Sequence, residues 1–314
     1  MQRTIRTMSA ALAAALMLGA CAPSVSIRKE QAVSANVTEK VDSKFAGPKR
    51  RIGVVDFENK TAYGQQRLGT AATDILITEL TKTGKFVVVE RDKLHKIMDE
   101  QKLQASGAID ARTAVQVGKI LGLNAIVTGA ISEFGVKTEG SEYLIVQSKR
   151  QTAEATVDIR IVDAETGQVL LADSGKGRAA SGKGSILGLG TRGGYDETLE
   201  GKSLRAAIAQ FTENIVSQLN KKPWSCRVAA VNGNKAYLNA GPNMGVENGL
   251  KLDCYHLGKE IVDPTTGLSL GNEEMKVAKV KVAGPLGDSG EGSIADITEA
   301  TGALSAKDIC RLVD

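Results

Sequence analysis

Aromatic side chains are scarce. One Trp, five Tyr and five Phe make up 4% of the 314 residues, so the cores have to be assembled from Val, Ile, Leu and Ala. Only two histidines occur, and the four cysteines form no C-x-x-C, so the ligand spacing of a zinc site is missing. A dominant charge is missing as well. Lys+Arg is 40 against 36 Asp+Glu, which offers no concentrated basic face for nucleic acid. The apolar run near the start, Ala10 to Ala20, stops short of the ~20 residues that a membrane-crossing helix requires.

What that run does match is a secretory leader. Arg3 and Arg6 give a positive start, the apolar stretch follows, and Leu18-Gly19-Ala20-Cys21 ends it with small residues before a thiol. The expectation is a lipoprotein signal peptide, residues 1–20. Cys21 becomes the new N-terminus and carries acyl chains such as palmitate; more than one chain gives stable anchoring. Ala22 in place of Asp favours the outer membrane, as in lipoproteins generally. Removing the leader takes away two arginines and no acid, so the mature chain is nearly neutral. Residues 21–48 are polar, rich in small side chains, and end at Gly47-Pro48; they read as a tether. In an oxidising compartment Cys226, Cys254 and Cys310 leave one disulfide and one thiol. The expected pair is Cys226–Cys310, because the first and last strands of a small barrel are often neighbours.

Residues 49–220 alternate between strand and helix patterns. Arg51 to Phe57 is a buried-strand run. Leu68, Ala72, Ile75, Leu76 and Leu80 recur at helical spacing, and Gly84 stops that helix. Phe86 to Val89 is a second strand. Leu94, Ile97, Met98 and Gln101 mark a second helix. Asp110 caps a third, whose inner face is Ala114, Val117, Gly118 and Leu121. Asn124 to Ile131 is apolar again. From Thr152 to Arg160 polar and apolar residues alternate, as in a strand with one wet face. Asp163 to Gly167 is a turn, with Gly167 available for positive φ. A returning strand, Gln168 to Ala172, leads to a glycine-rich stretch and a helix from Thr198 to Leu219. The order is β-α-β-α-α-β-β-β-α, an α/β fold with a mixed sheet covered by helices on one side. Lys221-Lys222-Pro223 is the boundary, and 221–314 shows short strands punctuated by turns, which predicts a small all-β barrel-like domain.

The stretch GRAASGKGS, Gly177 to Ser185, has Gly177, Gly182 and Lys183 at P-loop spacing, but Gly184 stands where the Mg²⁺-binding hydroxyl belongs. The residues that follow, ILGLGTRGG, cannot start a helix, so the stretch reads as a mobile glycine-rich segment and no nucleotide is expected. His95 falls on the charged side of a helix, and His256 sits beside Tyr255 in a strand with no marked partner. Asp56 and Glu58 straddle Phe57 and read as a wet strand end. No nucleophile is paired with a base. Neither enzyme activity nor a cofactor or metal is expected.

RIGVVDFEN (51–59), TEL (78–80), FVVVERDKL (86–94), EQKLQASG (100–107), GKILGLNAIVTGAI (118–131) and VDIRIVDAETGQVL (157–170) occur in this order over about 170 residues. In this the chain resembles the CsgG family of curli-type outer-membrane secretion lipoproteins. The tail, with YLNAG, NMGVENGL and VDPTTG, resembles the C-terminal β-domain of flagellar assembly proteins of the FlgT type. The resemblance implies a periplasmic α/β domain that can assemble into homo-oligomeric rings, with two hairpins per subunit, corresponding to 133–156 and 172–198, that enter the outer membrane and close a β-barrel pore. It also implies a role in export or assembly of an extracellular fibre or adhesin, with secreted or envelope proteins as partners. Two departures stand out. Only Asn59 to Arg67 joins the first strand to the first helix, so no constriction loop is carried over. The first hairpin segment also holds Glu133, Lys137, Glu139, Glu142, Lys149 and Arg150, where a spanning strand needs an apolar face. A periplasmic scaffold or regulatory lipoprotein that binds an envelope protein without forming a pore is the alternative.

Overall fold

The computed structural model describes residues 47–89, 91–100, 111–143, 146–186, 189–190, 198–265 and 269–313. The expected leader and Cys21 lie outside them. The apolar run after Lys49 forms β1 (Arg50–Val54), with Ile52 and Val54 fully buried. A short β2 (Glu58–Asn59) and helix α1 (Gln65–Lys82) follow. Leu68, Ala72, Ile75, Leu76 and Leu80 are the buried stripe of α1, at the spacing seen in the sequence. Thr73 fastens the helix to the strand end. Its hydroxyl accepts from the Phe57 amide at 2.9 Å and donates to the Gly69 carbonyl at 3.0 Å.

Next come β3 (Phe86–Val89), α2 (Arg91–Glu100) and α3 (Ala111–Leu121). Three long strands then run as an antiparallel meander: β4 (Ala125–Tyr143), β5 (Val146–Asp163) and β6 (Val169–Ile186). A two-residue β7 (Leu189–Gly190) and helix α4 (Thr198–Asn220) complete this part. The sheet order is β3-β1-β4-β5-β6-β7 with β2 beside β4. β1 is parallel to β3 and β4, so the sheet is mixed as expected.

The expectation of helices on one side is corrected. α1 and α4 cover one face together with Ile52, Val54, Val127, Val157 and Ile159. α2 and α3 cover the other with Leu94, Met98, Ala114 and Val117, packed on Ile126 and Val162. Parallel strands read as continuous apolar runs because both faces need cover, and the run Ala125–Val127 is such a case. The strands are also longer than the apolar runs that marked them. The charged stretch after Ser132 and the glycine-rich stretch after Ala172 are continuations of β4 and β6, not separate segments.

The second part is a closed antiparallel barrel. It comprises β8 (Ser225–Asn232), β9 (Lys235–Leu238), β10 (Lys251–Val262), β11 (Ser269–Pro285), β12 (Ser293–Ala300) and β13 (Ile309–Leu312). The strands close in the order β10-β11-β12-β9-β8-β13, and closure removes the edges that would otherwise invite pairing. Small and branched side chains fill it: Val228, Ala236, Leu238, Leu252, Val280, Val282 and Ala295.

The single Trp joins the two parts. Trp224 is 2% exposed, and its indole N–H donates to the Lys49 carbonyl at 3.1 Å. The Lys49 amide donates to the Met244 carbonyl at 2.6 Å. The Arg50 guanidinium donates to the carbonyls of Lys222 and Pro223. Lys222 in turn pairs with Asp163, which is fully buried. Asp163 also accepts the amides of Glu165 and Thr166 at 2.9 and 2.8 Å, closing the turn whose Gly167 has φ +74°. So one buried carboxylate holds the β5–β6 turn and the linker to the barrel. Trp224→Phe keeps most of the ring but leaves the Lys49 carbonyl without this donor; a loss of about 1–2 kcal/mol in a urea unfolding titration is expected.

Candidate assembly surface

The meander β4–β6 offers two unlike faces. On the first, β5 contributes Ala153, Ala155, Val157 and Ile159, and β6 contributes Ala179, Gly177 and Gly175 directly opposite the first three. Helix α4 lies across this row. A Cβ added at Gly177 would sit 1.9 Å from the Ser203 carbonyl oxygen and 2.4 Å from the Ala207 amide nitrogen; at Gly175 it would sit 2.1 Å from the Ala207 carbonyl oxygen. The backbones touch, with Ser203 and Ala207 as the matching small residues on the helix, both fully buried. Leu199 extends the packing to Ala153 and Ala179, and Tyr63 stacks 4.7 Å from Phe134 beside it. Ion pairs bind α4 to α1: Arg67 to the buried Glu200 at 2.9 Å, and Arg205 to the buried Glu79.

The opposite face is charged. Thr156 donates to Glu133 at 2.8 Å, and Lys176 lies 3.7 Å from the same carboxylate. Arg178 pairs with Glu154 at 3.3 Å and Lys137 with Glu139 at 2.7 Å. These exposed pairs add little stability, but they set the character of the surface: it suits water, not lipid tails.

The edges differ along their length. Near the base of β6, α4 supplies the missing ladder partners. The Gln210 amide accepts from the Lys176 N–H at 3.0 Å and donates to the Lys176 carbonyl at 2.6 Å, as a neighbouring strand would. Gln218 donates to the Leu170 carbonyl at 2.8 Å. Further up, among the described residues, β7 meets β6 only at Ser185 and Ile186. On the other side β2 leaves β4 at Ile131, and beyond it β4 pairs with β5 alone among the described residues.

The structure relocates several residues singled out in the sequence. GRAASGKGS lies inside β6, paired with β5 from Gly177↔Ala155 to Ser185↔Gln147. Its backbone is extended sheet, not a loop that cradles phosphate. Gly175 and Gly177, expected to confer mobility, are contact points under a helix. Glu58 is exposed and lies 3.9 Å from Lys60, beside the buried Phe57. The side chain of His95 lies outside the described residues. His256 does have a partner: its Nδ1 is 2.8 Å from Asp308, a buried carboxylate that also accepts the Ser305 amide at 2.8 Å. No signal in the sequence joins two residues 52 positions apart. Among the described residues, no three His, Cys, Asp or Glu side chains are grouped to hold a metal ion.

The expected Cys226–Cys310 bridge is corrected. The disulfide joins Cys254 to Cys310, and Cys226 is a buried free thiol. The premise held in part, since β8 and β13 are indeed neighbours. But β13 has a second neighbour, β10, which presents Cys254 in register with the same Cys310.

Comparison with known proteins identifies the family. The family model described as "Curli production assembly/transport component CsgG" matches residues 33–245, more than half of the chain, and the chain belongs to that family. The candidate lipoprotein NMB1126/NMB1164 of Neisseria meningitidis serogroup B is 29% identical over 234 residues, covering 71% of this chain and 98% of the relative. Among solved structures, lipoprotein GNA1162 of Neisseria meningitidis aligns at 14% identity and a TM-score of 0.33, over 55% of this chain and 99% of its own. The C-terminal domain of LpoB from Escherichia coli aligns at 13% identity and a TM-score of 0.29, over 45% and 90%.

Gly177→Ala forces α4 off the sheet or distorts β6; a loss of about 1–3 kcal/mol or more is expected in chemical denaturation. Gly135→Ala on the charged face meets nothing within 4 Å and is expected to stay within about 0.5 kcal/mol of the parent.

Proposed function

We propose that this CsgG-family chain is an envelope lipoprotein held at the periplasmic face of the outer membrane by lipid on Cys21. There it serves assembly or export of an extracellular fibre or adhesin, as a ring of identical copies. The reading rests on the family match, which spans the whole meander, and on the lipobox ending at Cys21. One observation carries the working position of the meander. Its apolar face is covered by α4, backbone against backbone at Gly175 and Gly177, and its other face bears Glu133, Lys137, Glu139, Glu154, Lys176 and Arg178. Among the described residues, a sheet built this way leaves no uncovered apolar stripe for lipid, and it works from water. The edges that have no strand neighbour among the described residues, β4 beyond Ile131 and β6 between Lys176 and Ser185, are where neighbouring copies meet. Secreted or envelope proteins are the partners in this reading.

A second reading, a β-barrel pore made from the same strands, is favoured by their length and alternation. β4, β5 and β6 run for 19, 18 and 18 residues, against the ~9–11 that cross a bilayer, and one face is apolar once α4 is removed. Electron microscopy of protein extracted from outer membranes and planar-bilayer recording separate the two. Rings without steady conductance are expected; rings with conductance establish the pore, and monomers contradict both. Cys21→Ser is expected to abolish palmitate labelling and shift the protein from the membrane to the soluble fraction; a labelled, membrane-bound variant contradicts anchoring at Cys21.

A further inference from the structure

Three cysteines form a row across the barrel wall. Cys226 on β8 is the register partner of Cys310 on β13, and Cys310 is the register partner of Cys254 on β10. The strands are consecutive, so the row runs Cys226, Cys310, Cys254. All three side chains face the core: Cys226 is 6% exposed, Cys254 and Cys310 not at all. Directly opposed residues hold their Cβ atoms about 4.5–5.5 Å apart, close to the separation that a disulfide spans. Cys310 therefore has a bondable neighbour on each side. Strand order puts the free Cys226 on the side of Cys310 away from its bonded partner, the side from which displacement at sulfur proceeds.

We propose that Cys310 is shared between its neighbours by thiol–disulfide exchange within the closed barrel. The sulfur of Cys226 attacks the sulfur of Cys310. The Cys226–Cys310 bond forms, the Cys254–Cys310 bond breaks, and its electron pair leaves on Cys254, which takes up the proton that Cys226 gave up. Nothing is oxidised or reduced overall, so no further reagent takes part. Both isomers join β13 to a hydrogen-bonded neighbour, and the barrel stays closed in each.

What changes is the strand that is stapled. Among the described residues β10 meets β13 only from Leu252 to Tyr255, and β11 meets β12 only from Ala278 onward. Past those points β10 and β11 continue as a two-stranded ribbon, to Val262 and back from Ser269. Ribbons of two strands are marginal in water. The Cys254–Cys310 bond staples the base of this ribbon, and the Cys226–Cys310 bond leaves it held by non-covalent contacts, among them the Arg311–Glu274 ion pair and the His256–Asp308 contact. The ribbon exposes Ile261, Val262, Leu270 and Met275, so the isomer determines how freely that apolar surface moves. Burial pushes the Cys226 thiol up to about 12. Its thiolate is thus rare, exchange is slow, and the two isomers persist long enough to be separated.

The test is a disulfide map of the purified full-length lipoprotein, incubated without added thiol, quenched in acid, alkylated and digested without reduction. Tryptic cleavage separates the three cysteines. The expected map contains Cys254–Cys310 and Cys226–Cys310 and lacks Cys226–Cys254. A map with Cys254–Cys310 alone at every time overturns exchange. Appearance of Cys226–Cys254 overturns the in-barrel route, because β8 and β10 stand two strand spacings apart, about 9.5 Å, beyond the ~7 Å reach of a disulfide, and only unfolding joins them. Cys254→Ala is expected to form Cys226–Cys310; two free thiols in the folded, air-oxidised variant overturn the proposal. The parent map decides alone if that variant does not fold.

Discussion

The backbone of α4 rests on the backbone of β6, and most of the first part of the molecule depends on that contact. It requires glycine at 175 and 177 and small residues at 203 and 207. It brings Leu204, Ile208, Phe211 and Ile215 down onto Val157 and Ile159. It puts Gln210 and Gln218 within reach of the β6 edge, where they take the place of a missing strand. It also sets Arg205 beside Glu79, so that α1 and α4 cover the sheet as one layer. With few aromatics available, close backbone approach replaces bulky side chains as the source of packing density.

From this contact follows the division of labour on the meander. With the apolar face occupied by α4, the charged face and the upper edges are what the described part of the meander leaves uncovered. The barrel adds a second closed unit, fastened through Trp224, Arg50 and the Lys222–Asp163 pair. That unit holds its own covalent staple in a row of three cysteines, where the register offers two solutions to one bond.

Local periodicity made much of the fold legible. The α1 stripe, the alternation from Thr152 to Arg160 and the Asp163–Gly167 turn are short-range patterns, and each appears where expected, although Thr152 and Thr156 on the expected wet face are buried. What escaped was long-range or ambiguous. A glycine reads equally as freedom or as close approach, and only the position of α4 shows that Gly175 and Gly177 are the latter. The charges from Glu133 to Glu139 hid the continuation of β4, because a strand with one wet face is not an apolar run. The second helical layer was hidden because Ile126 and Val162 do not announce which way they point. The pairing of His256 with Asp308, and of Cys310 with Cys254 over Cys226, depends on barrel register that no local pattern encodes.

The packing at Gly175 and Gly177 requires α4 to stay on the glycine row, and the proposed anchoring at the membrane leaves it there. The most direct measurement is the pulsed electron-resonance distance between spin labels carried on non-native amino acids at Glu213 on α4 and Ser174 on β6, with the native cysteines left in place. The account predicts the same narrow distance distribution in purified protein and in outer membranes. A longer or broadened distribution in the membranes would mean that α4 leaves the sheet, and would contradict it.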